Sequence, residues 1–71
     1  MDNATPEKLG ASIEALRISR GLTQTEFAVK TGLSRNRINT IENGKAKDIK
    51  LSTIVTLFGA LGYRIDITVS K

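Results

Sequence analysis

The polar residues between positions 35 and 43 combine side-chain types and spacing that could do chemistry. If this segment is a helix, at about 100° per residue, Ile38 and Ile41 share one side of it. The other side carries short polar side chains, with an arginine at the first turn: Arg35, Asn36, Asn39, Thr40 and Asn43. Asparagine and arginine can form paired hydrogen bonds with base edges, whereas a solvated helix face more often carries Glu and Lys. The pattern favours a surface that reads bases, and an ordinary solvated face is the alternative.

A short helix directly before this segment would help to position it. Thr23 and Glu26 have the spacing of a capping box, so the helix should begin at Gln24. It should end at Thr31, because Gly32 can adopt the left-handed conformation that suits a helix C terminus.

The polar segment has its own start and stop signals. Ser34 suits an N-cap, so a second helix should run from Arg35 to Asn43 and be closed by Gly44. The inward-facing residues of the two helices should share one small core: Phe27, Ala28, Ile38 and Ile41.

The two helices and their turn resemble the helix-turn-helix of the lambda-repressor/Cro family of bacterial and phage regulators. The residues that agree are the helix-opening glutamine, a small residue, the turn glycine, two apolar anchors and the ENG end: Gln24, Ala28, Gly32, Ile38, Ile41 and 42–44. The resemblance covers roughly residues 9–62. It implies a mainly α fold, a lambda-repressor-like bundle of about four helices, and a sequence-specific DNA-binding repressor.

The resemblance also implies roles for individual side chains at a DNA duplex. Base contacts in the major groove are implied for Arg35, Asn36 and Thr40, with Asn39 as a candidate beside them. Arg37 points towards the flank and could contact either bases or phosphates. Phosphate contacts, helped by the positive end of the first motif helix, are implied for Thr23, Gln24, Ser34, Asn43 and Lys45.

An ion pair between distant residues is a further implication. In the family, a basic residue near the end of the first helix pairs with the glutamate of ENG, and the matching residues are Arg17 and Glu42. A partly buried pair would orient the second motif helix against the first helix of the chain. The alternative is two solvated surface charges.

Composition excludes several classes of site. The 71 residues suffice for one small domain but not for a deep catalytic cleft. The absence of cysteine and histidine excludes disulfides, Cys/His zinc sites and His or Cys catalysis. The seven acidic residues show no metal-ligand spacing, so we expect no enzyme, metal or cofactor. Neither a signal peptide nor an apolar run near the ~20 residues of a membrane span is present, so a cytoplasmic protein without a membrane partner is expected.

Positive charge is concentrated around the second motif helix. The net charge is +4, and residues 35–50 carry five basic and two acidic side chains, so +3 of it lies there. Phosphate contacts would use this charge, and a basic loop that only favours solubility is the alternative.

Two further helices should flank the motif. The first is predicted from about Pro6 to Arg20, with Thr5 as its N-cap. A later helix should end at Gly62, and its start is ambiguous because Lys50 cannot cap, which leaves two capping candidates: Ser52 and Asp48.

The later helix should bury its apolar positions against the motif. These positions recur at helical spacing: Leu51, Ile54, Val55, Leu57, Phe58 and Leu61. Gly59 inside it predicts either close helix packing or a contact with another chain.

The hydrophobic period changes from 3.6 to 2 at the C terminus, which indicates a half-buried strand. Its apolar face would consist of Tyr63, Ile65, Ile67 and Val69. No second strand is predicted, so a partner strand must come from another molecule. Antiparallel pairing with a second copy would give a homodimer suited to a palindromic operator in double-stranded DNA. A frayed tail, or a strand that pairs with a different protein, is the alternative.

A short helical domain followed by such a strand is similar to the HipB branch of the family. Those antitoxins dimerise partly through the strand, bind operators in their own promoter and hold a kinase toxin. The resemblance implies an autoregulating antitoxin with a HipA-like kinase partner. The alternatives are a toxin-neutralising module whose DNA binding is secondary and a stand-alone phage-type repressor. We expect three parts: a flexible N terminus (1–4), a DNA-binding domain (5–62) and a dimerisation strand (63–71).

Overall fold

The computed structural model describes residues 5–65, which contain four helices. In chain order they are α1 (Pro6–Ser19), α2 (Gln24–Thr31), α3 (Arg35–Glu42) and α4 (Leu51–Ala60). α1 and α2 both pack against α3, and α2 also packs against α4. The mainly α, four-helix fold predicted from the sequence is confirmed.

The first three helices begin where their capping residues predict. The Thr5 hydroxyl accepts a hydrogen bond of 3.1 Å from the N–H three residues on, and Ser34 does the same for α3 at 3.0 Å. At α2 the Thr23 hydroxyl accepts from the Glu26 N–H at 3.0 Å, and the Glu26 carboxylate accepts from the Thr23 N–H at 2.8 Å. Each N-cap pairs a backbone donor that the helix leaves open, which typically stabilises a helix by about 1 kcal/mol.

The C terminus of α3 is closed by a glycine turn. Gly44 has φ +74°, its N–H donates to the Ile41 carbonyl, and the Lys45 N–H donates to the Thr40 carbonyl, both at 3.1 Å. These two bonds form a Schellman motif. The helix ends one residue earlier than predicted because Asn43 takes the C-cap position.

The core lies between the four helices. Its largest fully buried side chains are Ile13, Phe27, Ile38, Ile41, Leu57 and Leu61. Burying each contributes about 1.5–3 kcal/mol from the apolar surface removed from water. The predicted inward-facing residues of the two motif helices are all buried, which confirms the periodicity argument.

A glycine in α1 sets the crossing of α1 and α3. Gly10 is buried, and a Cβ at this position would overlap the Ile41 carbonyl oxygen and lie 2.8 Å from the Glu42 carbonyl oxygen. The two helices therefore touch through backbone, which brings the C-terminal end of α3 directly onto α1.

Two expectations for α4 were wrong. The helix begins at Leu51 with Lys50 at the N-cap and no side-chain cap, so neither Ser52 nor Asp48 caps it. Leu51 and Val55 are also not buried, with 56% and 38% of their surfaces exposed. α4 is apolar on nearly all sides, so its periodicity could not show which side faces the core.

Gly59 in α4 does not serve close packing within residues 5–65. A Cβ built there would meet nothing within 4 Å. Of the two predicted reasons for this glycine, close helix packing is wrong for the described part of the chain, and contact with another chain stays a prediction.

Arg20, at the end of α1, contacts the residues that follow α4. Arg20 donates from Nε to the Leu61 carbonyl at 2.9 Å, and its guanidinium lies 5.2 Å from the Tyr63 ring centroid. Tyr63 also meets Phe58 edge to face, with ring centroids 6.3 Å apart.

The predicted C-terminal strand falls mostly outside the described residues. Tyr63 and Ile65 are described and do not form a strand, whereas Ile67 and Val69 lie outside that part of the chain. Among residues 5–65, no helix is long and apolar enough to cross a membrane.

Candidate nucleic-acid interface

The predicted base-reading residues lie on the side of α3 that faces away from the core. Arg35, Asn36 and Asn39 are exposed, and Thr40 is half-buried. The Thr40 hydroxyl donates to the Asn36 carbonyl at 3.0 Å, so its hydrogen is used within the helix and its oxygen remains an acceptor. Arg37 is half-buried at the edge of this surface. Together they present amide and guanidinium groups from one short helix.

A buried ion pair fixes α3 against α1. Arg17 donates from Nε to Glu42 Oε2 at 2.7 Å and from Nη2 to Oε1 at 3.0 Å. Only 9% of the Arg17 side chain and 1% of the Glu42 side chain are exposed. The third donor, Nη1, donates to the Leu22 carbonyl at 2.7 Å. This bond also fixes the connection between α1 and α2 to the ion pair. The pair is therefore buried rather than solvated.

The charge of Arg17 is held by this pair. The hydrogen bond to Glu42 raises the pKa of the Arg17 guanidinium above its ordinary value, while burial acts in the opposite direction. The guanidinium therefore stays protonated at any physiological pH.

Gln24 extends the pair to the outer surface, a contact that the sequence analysis missed. Its Nε2 donates to Glu42 Oε1 at 3.1 Å and to Asn39 Oδ1 at 3.2 Å. These bonds use both amide hydrogens. The phosphate contact predicted for Gln24 stays a prediction, and the side chain's remaining polar atom is the carbonyl oxygen, which cannot donate. No local spacing in the sequence indicates this link, because it depends on how the side chains of α2 and α3 pack.

The other predicted phosphate ligands surround α3. The hydroxyls of Thr23 and Ser34 each accept a backbone N–H at a helix start and keep a hydrogen to donate. Asn43 and Lys45 are exposed at the other end of α3. Side chains that can donate hydrogen bonds therefore lie at both ends of the exposed side of α3.

The basic loop after α3 is anchored by one small residue. Ala46 is 4% exposed and belongs to the core cluster, whereas Lys45 and Lys47 on either side of it are exposed, as is Lys50. The loop therefore holds its lysines outward.

No group of three or more acidic residues within residues 5–65 is placed to hold a metal ion.

Comparisons with known proteins agree with this geometry. An immunity repressor protein of Bacillus phage phi105 is 36% identical over 63 residues, which are 89% of this chain and 43% of that protein. The chain spans less than half the length of the curated relatives it matches, 43% and 47%.

Solved structures show the same fold. The restriction-modification controller protein C.AhdI from Aeromonas hydrophila is 32% identical, with a TM-score of 0.76 over 80% of this chain and 85% of that one. HipB in a HipB–O4 20mer complex has a TM-score of 0.75 over 100% of this chain and 99% of that one, at 24% identity. At that identity the likeness to HipB shows the fold alone.

A family model gives the assignment. The helix-turn-helix model matches residues 13–67, which include α2, α3, α4 and the second half of α1. The chain belongs to the lambda-repressor/Cro-like (XRE-type) helix-turn-helix family of DNA-binding regulators.

Proposed function

We propose that this chain binds double-stranded DNA sequence-specifically through α3 and acts as a transcriptional repressor. The observation that carries the proposal is the outward row of Arg35, Asn36 and Asn39 on a helix whose inner side is fixed by buried side chains. A helix of this kind fits the major groove, where amide and guanidinium groups can distinguish all four base pairs.

Phosphate contacts would set the register of α3 on the duplex. The hydroxyls of Thr23 and Ser34 lie at the starts of α2 and α3, where helix N termini favour anions. Lys45 is exposed at the far end of α3, and Arg37 at its edge serves either backbone or bases. In this proposal the side chains that contact bases determine sequence specificity, and different side chains, which contact phosphates, provide general affinity for DNA.

Homodimerisation is part of this proposal. Residues 63–71 would pair with the same segment of a second copy, and the exposed Leu51 and Val55 on α4 support a second contact area. Two recognition helices one duplex turn apart would read half-sites about 34–36 Å apart in a palindromic operator.

The test separates base reading from phosphate binding. Duplexes with a randomised centre are enriched on the intact chain, and affinities for the enriched and a scrambled sequence are then measured across salt concentrations. Asn36→Ala should weaken the enriched sequence by about 1–3 kcal/mol and leave scrambled DNA unchanged. Lys45→Ala should weaken both and reduce the salt slope by about 1.

Lys30→Ala is the matched control, because it removes the same charge from an exposed position in the last turn of α2. It should leave the salt slope unchanged. Equal losses on both DNAs for Asn36→Ala and Lys45→Ala, or no enriched sequence at all, would contradict the proposal.

An autoregulating antitoxin is the second candidate. It is supported by the end-to-end match with HipB, which another solved structure contains in a HipA–HipB–O2–O3 complex. The discriminating experiment coexpresses the chain with the product of the neighbouring gene, if that gene encodes a kinase-like toxin. Rescue of growth and co-purification support an antitoxin, and growth arrest that persists favours a stand-alone, phage-type repressor.

A further inference from the structure

We infer that Gln24 sets the orientation of the Asn39 amide, so that Asn39 offers donors to DNA and selects guanine at the base it meets. The inference rests on the proposed function, since it assigns a base preference to one residue of the same interface. Its starting point is the chain of hydrogen bonds that runs from Arg17 through Glu42 and Gln24 to Asn39.

The first step is the carboxylate of Glu42. It receives two hydrogen bonds from the Arg17 guanidinium, at 2.7 and 3.0 Å, and is almost completely buried. A carboxylate that is ion-paired in this way accepts hydrogen bonds and donates none. Any third group within hydrogen-bonding distance of it must therefore be a donor.

The second step is the amide of Gln24. Its oxygen and nitrogen could in principle be exchanged by a half-turn of the amide, but the atom facing Glu42 Oε1 at 3.1 Å must donate. That atom is therefore Nε2. Its second hydrogen points to Asn39 at 3.2 Å, so the atom of Asn39 at that position must accept.

The third step is the amide of Asn39. Its Oδ1 is directed at Gln24, which leaves the Nδ2 hydrogens for the exposed side of α3. Guanine shows two acceptors in the major groove, N7 and O6, whereas adenine and thymine each show one and cytosine shows the N4 donor. The paired contact with adenine needs an outward oxygen beside the nitrogen, and that oxygen is the one held by Gln24.

Asn36 provides an internal comparison on the same surface. Within residues 5–65 its side chain makes no hydrogen bond, and only its carbonyl is used, by Thr40. The Asn36 amide can turn to suit any base, including adenine. The two asparagines thus differ in what they can select, although the sequence shows the same residue type at both positions. Gln24 acts as a positioning residue for one and not for the other.

The experiment enriches randomised duplexes on the intact wild-type chain and on three variants: Asn39→Ala, Gln24→Leu and Asn36→Ala. Asn39→Ala identifies the position that Asn39 meets, where the wild type should prefer guanine by about tenfold over the other three bases. Gln24→Leu should admit adenine at that position and leave the position governed by Asn36 unchanged. Circular dichroism checks that each variant is folded.

Three results would overturn the inference. They are a wild-type preference for adenine, cytosine or thymine at the Asn39 position, an unchanged preference in Gln24→Leu, and no position affected by Asn39→Ala. A purely structural role for Gln24 would lower affinity at all positions alike, so the change at one position separates positioning from stability.

A second measurement reads the hydrogen bonds without DNA. In the nuclear magnetic resonance spectrum of the free chain, the Gln24 side-chain NH2 should exchange with water more slowly than that of Asn39. The reverse order would overturn the inference even if DNA binding is established. If the wild type enriches no sequence, the proposed function fails, and slow exchange at Gln24 still supports the orientation of Asn39.

Discussion

Gly10 of α1 lies directly against the carbonyl oxygen of Ile41 in α3, with no side chain between the two helices. This contact places the end of the candidate recognition helix on α1, close to the carboxylate that Arg17 holds. The positions of the residues proposed to read bases therefore depend on a glycine that lies outside the proposed DNA surface.

Gly10→Ala should destabilise the fold. The added methyl would overlap backbone atoms that cannot move aside as a side chain can, and overpacking typically costs about 1–3 kcal/mol. Urea denaturation followed by circular dichroism measures the loss. Gly59→Ala is the matched control, since a Cβ there meets nothing within 4 Å and alanine favours a helix by about 1 kcal/mol. A Gly10→Ala chain as stable as wild type would contradict the close crossing.

Glu42→Gln should destabilise the chain more than an exposed charge change would. Arg17 would keep its buried charge without a carboxylate partner, and breaking a buried pair on one side costs about 3–5 kcal/mol. The measurement is the free energy of unfolding. Arg17→Met combined with Glu42→Leu removes both charges and should recover much of the loss. A double variant that is no better than Glu42→Gln would show that packing, rather than the unpaired charge, determines the effect.

The contribution of Arg17 should not depend on pH across the ordinary range. A folded-state pKa raised by Glu42 gives stability that is fully present below the unfolded-state pKa and is lost only as pH rises through the folded-state value. Both pKa values lie well above the ordinary pH range of a stability measurement. The difference in unfolding free energy between wild type and the double variant Arg17→Met/Glu42→Leu, which leaves no unpaired carboxylate, should therefore stay constant from about pH 6 to about pH 10. A difference that shrinks towards pH ~10 would contradict this assignment.

Truncation should reveal which element makes the proposed dimer. A chain ending at Ile65 keeps the contact of Arg20 with Tyr63 and loses only residues 66–71. Sedimentation equilibrium should find a dimer for the intact chain and a monomer for the truncated one. Val55→Asp tests the exposed α4 surface separately. An intact chain that is monomeric would contradict the dimer, and a truncated chain that remains dimeric would assign it to another surface.

Local signals predicted the start of each motif helix because the cap residues act within one turn. Thr23, Glu26 and Ser34 all make the bonds that their spacing indicates. The start of α4 could not be predicted in this way, since Lys50 caps nothing with its side chain. The exposure of Val55 was also out of reach, because a helix with apolar residues on most sides does not show its inner face.

The exposed residues of the candidate site could be predicted from the sequence, but the hydrogen bonds of Gln24 could not. The exposed row on α3 follows from helical periodicity, and the buried pair followed from the family pattern. The role of Gln24 could not follow, since its bonds to Asn39 and Glu42 join side chains on two different helices and depend on how those helices pack. Gly10 likewise gave no signal, because its significance lies in the backbone of α3 opposite it.

The division of α3 into a fixed inner side and an exposed outer side has a consequence for how specificity can change. Ile38 and Ile41 hold the helix in place, while Arg35 and Asn36 contribute nothing to the core. Replacing the outer residues should change which operator sequences the chain binds and leave its fold unchanged. Asn39 is the exception, because exchanging it also alters the partner of Gln24.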